Sequence, residues 1–132
     1  MADPDKYCIL VAEDNAILRY VTTRVLTERG YCVIQAKDGK EALERADEYD
    51  GAIHVLVTNV EMPEKNGHEL TRELKEKRPD LQVLIVSGHD EAEFPPETRH
   101  VADALMKPVS TDVLLAKVHE LLKRHRQFHP PD

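Results

Sequence analysis

The chain has 132 residues, of which 41% are hydrophobic and 33% charged, and its formal net charge is −7. This size and balance are typical of one globular domain with a core of its own. The negative charge argues against a general affinity for nucleic acid or anionic membrane, so direct DNA binding is not expected. No apolar run approaches the ~20 residues of a membrane span, and the N-terminus lacks an apolar signal region. We therefore expect a cytoplasmic protein.

One domain is predicted over residues 7–125, between tails at 1–6 and 126–132. Cys8 and Cys32 both lie within apolar runs. A disulfide between them stays open, but two buried free thiols are favoured in a reducing compartment.

Five short apolar runs, rich in Val, Ile and Leu, predict buried strands. They do not alternate cleanly with polar residues, which is typical of strands covered on both faces in a parallel sheet. The predicted strands are Tyr7–Ala12, Tyr31–Ala36, Ile53–Thr58, Gln82–Ser87 and Ala102–Met106.

The segments between these strands have helical periodicity. Residues 15–29 place Ile17, Val21 and Val25 on one face, and Gly30 follows as a C-terminal stop. A second helix is predicted at roughly 39–49, with Ala42, Leu43 and Ala46 facing inward, and a third at roughly 67–77, with Leu70 and Leu74 facing inward. Ser110 or Thr111 can cap the last helix, whose inward residues are Leu114, Val118, Leu121 and Leu122.

The segment before the fifth strand, residues 89–100, contains Pro95 and Pro96 side by side. Pro96 suits the first turn of a helix, but neither proline suits a helix interior. We expect a short or irregular helix there.

The alternation of strands and helices predicts an α/β fold with a doubly wound (βα)5 parallel sheet and right-handed crossovers. Functional groups in such folds cluster outside the C-terminal strand ends. The residues at those ends are Glu13, Asp14, Asn59, Ser87 and Lys107.

This set of side chains has a recognisable chemistry. Exposed carboxylate oxygens suit Mg²⁺. A cation, a lysine and a hydroxyl around one point would stabilise the oxygens of a transferring phosphoryl group. A nucleophile is missing, because a carboxylate at position 59 could form an acyl phosphate but the delocalised amide nitrogen of Asn59 cannot.

Each of these residues also has a purely structural interpretation. Asn59 could be a turn residue, and Glu13 and Asp14 could cap the first helix. Ser87 could be a helix cap, and Lys107 an ordinary surface lysine before a turn proline. For each residue alone the structural interpretation is favoured, but the combination at these spacings favours a site.

Five motifs in order, ILVAEDN, AKDGKEAL, VLVTNVEMPEKNGHEL, VLIVSGHD and ALMKPVS, extend over about residues 7–124. Together they resemble the receiver domain of bacterial two-component response regulators, of the chemotaxis-receiver kind. The details of these motifs are also similar to those of receivers attached to hybrid histidine kinases.

The resemblance implies a flavodoxin-like fold with strand order 2-1-3-4-5, in which a histidine kinase donates phosphate to an Asp ending the third strand. It implies that Glu13 and Asp14 hold Mg²⁺ with the Glu61 carbonyl and the residue at position 59. It further implies that Ser87 contacts the phosphoryl group and that Lys107 pairs with it. The peptide bond between Lys107 and Pro108 is commonly cis in the family.

The sequence departs from this family at three places. Asn59 stands where the phosphate-accepting Asp belongs, and Ala104 stands where a Tyr or Phe ring usually moves during switching. The Pro95-Pro96 segment replaces an ordinary fourth helix. We therefore expect weak Mg²⁺ binding, weaker than in an Asn59→Asp variant, and no enzymatic activity.

Three functions are compatible with the sequence. The first is a stand-alone receiver that acts by binding a histidine kinase or other two-component proteins without phosphorylation at position 59. The second is a conventional phosphoaccepting receiver that carries an engineered Asp→Asn change. The third is a small flavodoxin-like nucleotide-binding domain or enzyme, which no cofactor loop supports.

Overall fold

The computed structural model describes residues 7–88 and 90–128. Its five strands form one parallel sheet in the order β2-β1-β3-β4-β5, as the resemblance implied. The strands are β1 (Cys8–Ala12), β2 (Cys32–Ala36), β3 (Val55–Asn59), β4 (Gln82–Ser87) and β5 (Asp103–Met106), and the helices are α1 (Ala16–Glu28), α2 (Gly39–Glu48), α3 (Gly67–Lys77), α4 (Pro96–Arg99) and α5 (Thr111–Phe128).

All five predicted strands are present. The bounds of β4 coincide with the prediction, and the other strands begin one or two residues later than predicted. The strand β3 includes Asn59, which the sequence placed just beyond its end. The helix α5 continues to Phe128, three residues past the predicted domain boundary, while the tails 1–6 and 129–132 lie outside the described residues.

The register of the sheet brings its C-terminal strand ends to one edge. Ala12 of β1 is paired with Thr58 of β3, and Asn59 is paired with Val86 of β4. Ser87 is in turn paired with Met106, the residue before Lys107. The residues that follow β1, β3, β4 and β5 therefore lie side by side.

Two apolar layers cover the sheet, one on each face. Leu10, Leu56 and Ile85 face the layer that contains α2 and α3, and Ile9, Val57 and Leu84 face the layer that contains α5. Every residue of β1 is buried. Burial on both faces explains why the strand sequences are continuously apolar.

The helix α1 differs from its prediction. Ile17 and Val21, predicted on its apolar face, are 74% and 46% exposed, and Leu26 is its one buried residue. The first turns of α1 do not pack against the sheet. A cavity of about 450 Å³ lies there, lined by Val21 of α1, Val57 of β3 and Leu114 of α5.

The segment before β5 is short and irregular, as predicted. It consists of a 3₁₀ turn at Glu91–Glu93 and the four-residue helix α4, with Pro95 as its N-cap residue and Pro96 in its first turn. Phe94 is buried against the core, and its ring meets His68 of α3 edge-on, with centroids 4.9 Å apart.

The two cysteines are free thiols, as favoured by the sequence, with Cys8 buried and Cys32 half-buried. Among the described residues, no helix has both the length and the apolar character that crossing a bilayer requires.

Candidate functional site

An open cavity of about 370 Å³ lies at the C-terminal edge of the sheet. We call it the strand-edge pocket. All the residues predicted to contact metal or phosphate line it, namely Glu13, Asp14, Asn59, Glu61, Ser87 and Lys107.

The β1 end of the pocket is held by the start of α1. The Asn15 backbone N–H donates to Glu13 Oε2 at 3.0 Å, and Asn15 Oδ1 caps the helix by accepting from two backbone N–H groups at 3.0 Å. Arg19 Nη1 donates to the Glu13 carbonyl at 2.9 Å. The N-cap of α1 is therefore Asn15, a residue type that commonly caps helices, and not Glu13 or Asp14, for which capping was the alternative structural interpretation.

Burial raises the pKa of the Glu13 carboxyl above its ordinary value. The Asn15 N–H and the positive charge of Lys107 act in the opposite direction, while the neighbouring Asp14 raises it further. Glu13 therefore lies in a partly desolvated position between a second carboxylate and the Lys107 ammonium.

The Asn59 oxygen faces two donors. Its Oδ1 accepts from Lys107 Nζ at 3.0 Å and from the Val60 backbone N–H at 3.0 Å. Lys107 therefore crosses the pocket from the end of β5 to the end of β3 and fixes the side of the amide that carries the oxygen.

The Asn59 nitrogen faces three acceptors. Its Nδ2 donates to the Glu61 carbonyl at 3.0 Å, to Asp14 Oδ1 at 3.2 Å and to Glu13 Oε2 at 3.4 Å. The reversed amide would turn its oxygen towards two carboxylates and its N–H groups towards the Lys107 ammonium. The surrounding groups therefore permit one orientation only.

The loop after β3 is fixed by the first turn of α3. Asn66 and Glu69 form a reciprocal capping box, and the Gly67 N–H donates to the Val60 carbonyl at 2.8 Å. A Cβ on Gly67 would collide with the Asn59 carbonyl oxygen. This close approach has no signal in a single sequence.

Ser87 and Lys107 are joined through the backbone. The Lys107 N–H donates to the Ser87 carbonyl at 2.7 Å, and Ser87 is buried. The Lys107–Pro108 peptide bond is cis, as the resemblance implied.

Ala104 lies outside the strand-edge pocket. It is half-buried on β5, paired with Ile85, and packs against the core on the α3 side. Its methyl group provides no ring that could move between the pocket and the surface.

The oxygens of the pocket are suitable for Mg²⁺, but their surroundings are not. Two carboxylates and a backbone carbonyl are the ligands that Mg²⁺ takes in proteins. Here all three oxygens accept from one amide nitrogen, Asn59 Nδ2, which carries hydrogens and cannot ligate a cation. In the observed orientation, the residues therefore do not fit the metal.

Residues 9–119 match the family described as the response regulator receiver domain. The chain is 39% identical over 121 residues to the sensor kinase CckA of Brucella abortus, covering 88% of the chain. It is 32% identical over 116 residues to the receiver protein CpdR of the same organism, covering 86% of the chain and 95% of the relative. A receiver domain structure from Clostridium thermocellum superposes with a TM-score of 0.84 at 26% identity, covering 92% of this chain and 98% of that one.

The relatives differ greatly in length. This chain spans 12% of CckA, and 54% and 16% of two others, the Streptococcus pneumoniae regulator RR06 and the Vibrio cholerae sensor kinase CqsS. The shared part is the receiver in each case, and the family binds Mg²⁺ at its phosphorylation site.

Proposed function

Because the chain belongs to the response regulator receiver domain family, we propose that it serves two-component signal transduction by binding partner proteins, without accepting phosphate at position 59. The domains of this family act in signalling. The proposed action is therefore recognition by a surface rather than turnover of a substrate.

The orientation of Asn59 carries this proposal. Its side chain stands at the end of β3, between Lys107 and the acidic residues of β1. An acyl phosphate requires a carboxylate oxygen that can attack phosphorus. The Asn59 oxygen is an amide oxygen, and its nitrogen is engaged with the pocket's acceptors.

The other residues of the pocket are assigned roles by their position. Lys107 and Ser87 would contact a phosphoryl group if one were formed, and here Lys107 instead binds the amide oxygen. Glu13 and Asp14 would bind Mg²⁺ only after Asn59 Nδ2 released them, so we expect this binding to be weak. We assign the pocket a structural role, in which it fixes the loops around the sheet edge.

Regulation by a moving ring at position 104 is also absent from the proposed mechanism. Ala104 cannot turn inward when a hydroxyl engages phosphate, so the surface around β5 would not report on the pocket. Control would come instead from the presence or abundance of a partner.

The proposed partners are sensor histidine kinases or other two-component proteins in the cytoplasm. CckA and CpdR, with 39% and 32% identity, support this class of partner. Direct DNA binding by the receiver fold is not part of the proposal, since the net charge of −7 opposes binding to a polyanion.

Intact-mass measurement after incubation with acetyl phosphate and Mg²⁺ tests the proposal. The wild-type protein is expected to gain no phosphate, and the Asn59→Asp variant to gain one, because only the nucleophile differs. Asn59→Ala is the matched negative control. Phosphate mapped to the strand-edge pocket of the wild-type protein would refute the proposal, and codon 59 of the gene decides whether the asparagine is natural.

A further inference from the structure

We infer that the Asn59 amide takes the place of a divalent cation in the strand-edge pocket, so that the end of β1 and the loop after β3 are joined without metal. The inference rests on the proposed function and deepens it, because it names what holds the site in a receiver that takes no phosphate. It is carried by the hydrogen bonds of one side chain.

The amide nitrogen is at the centre of the ligand set. Glu13 Oε2, Asp14 Oδ1 and the Glu61 carbonyl converge on Asn59 Nδ2 at distances of 3.4, 3.2 and 3.0 Å. These are the oxygens that the resemblance assigns to a cation, and they come from the end of β1 and from the loop after β3. The nitrogen therefore joins the two segments that a metal would join.

The charges of the pocket favour this arrangement. Glu13 and Asp14 contribute −1 each and Lys107 contributes +1, so the formal sum is −1. A carboxylate at position 59 would bring the sum to −2 and would crowd three acidic groups around the same point, which a divalent cation relieves. The amide supplies N–H dipoles to the carboxylates without adding charge, so less repulsion remains for a cation to relieve.

A cation can enter only by breaking this arrangement. It would have to displace the Nδ2 hydrogens from three acceptors. If the side chain rotated to offer Oδ1 as a ligand, that oxygen would also lose Lys107 and the Val60 N–H. Asn59 therefore opposes metal binding instead of contributing a ligand to it.

Two views of Asn59 predict opposite effects for its removal. If the amide blocks the cation site, Asn59→Ala frees the acidic pair and the Glu61 carbonyl and increases Mg²⁺ binding. If Asn59 serves as an oxygen ligand, the same variant loses a ligand and binds Mg²⁺ less well.

Thermal unfolding with and without about 10 mM MgCl₂, at ionic strength matched with NaCl, separates the two views. A ligand present at about ten times its dissociation constant raises Tm by roughly 5 °C in a domain of this size. We expect such a shift for Asn59→Asp, a smaller one for Asn59→Ala, and none beyond about 1 °C for the wild-type protein.

A wild-type shift equal to or larger than that of Asn59→Ala would overturn the inference, and so would the absence of any shift in Asn59→Asp. If Asn59→Ala does not fold, the side-chain amide signal of Asn59 in a ¹H–¹⁵N spectrum provides the test. We expect it to be unchanged by Mg²⁺, and a saturable displacement would contradict us. The proposed function fails separately, through phosphate found on the wild-type protein by mass.

Discussion

The two halves of the C-terminal sheet edge are held in different ways. At the ends of β1 and β3, the Asn59 side chain alone takes part in five hydrogen bonds that cross-link strands and loops. Beyond β4, the chain runs through a 3₁₀ turn and a helix of four residues, a segment in which Phe94 and Thr98 are buried.

This difference indicates that the three departures from the family lie in separate parts of the molecule. The first half keeps Glu13 and Asp14, the acidic pair that the resemblance assigns to a cation, and has an amide where the resemblance places the nucleophile. The second half lacks the ring at position 104 and has a fourth helix shortened by Pro95 and Pro96. Under the proposed function, the protein keeps the form of a receiver site while its signalling relies on partner binding.

The largest expected effect is on the weakly held half. Phe94 is 4% exposed and packs on His68, so Phe94→Ala should lower the free energy of unfolding by about 3 kcal/mol. We expect faster hydrogen exchange at 94–101 and an unchanged pocket. Val101→Ala, at a 40% exposed residue of the same segment, is the matched control and should change stability by less than about 0.5 kcal/mol. Equal effects of the two changes would show that Phe94 is not the anchor.

Two glycines provide a second test of the comparison. Gly67→Ala would force a methyl group against the Asn59 carbonyl oxygen and should cost about 2 kcal/mol. Gly88, which follows β4, has no atom within 4 Å of an added Cβ, so Gly88→Ala should be neutral within about 0.5 kcal/mol. Chemical denaturation of both variants measures the difference in the free energy of unfolding. Similar losses of stability in the two variants would contradict the contrast between the two halves of the sheet edge.

The smallest expected effect is at Asp103, at the start of β5. Burial raises the pKa of its carboxyl, but the hydrogen bonds from Arg124 and Lys117 outweigh it and set the pKa below the ordinary value. Because the folded-state pKa is depressed, the stabilisation is present above the ordinary carboxyl range near pH 4 and is lost as pH falls through the folded pKa.

Asp103→Asn should therefore cost about 1–2 kcal/mol at pH 7, where the ion pairs with Arg124 and Lys117 are complete. The difference from the wild-type protein should shrink as the pH falls below about 4. Urea denaturation at several pH values measures it, and a difference independent of pH would exclude the charged contribution.

Much of the fold was predictable from the sequence, because its signals are local. Continuous apolar runs identify strands buried on both faces, and the prolines at 95 and 96 identify a short α4. The strand ends were also predictable, since parallel strands place their C-terminal ends together. These rules identified the residues that line the strand-edge pocket.

The exposure of α1 and the orientation of Asn59 were not predictable in the same way. Helical periodicity places Ile17 and Val21 on a common face, but it does not determine how far that face is from the sheet. The direction of the Asn59 amide depends on Lys107, 48 residues away, and on the acidic residues after β1. Such long-range contacts exist only once the fold has formed.

The most direct test of the account compares backbone ¹H–¹⁵N spectra of the wild-type protein with and without acetyl phosphate and Mg²⁺ together. We expect unchanged signals throughout residues 7–128, because the pocket neither takes phosphate nor admits the cation. In Asn59→Asp, signals around β1 and β3 should move under the same conditions. Saturable changes in the wild-type spectrum at the strand-edge pocket would contradict the inference that Asn59 keeps the cation out and that position 59 accepts no phosphate.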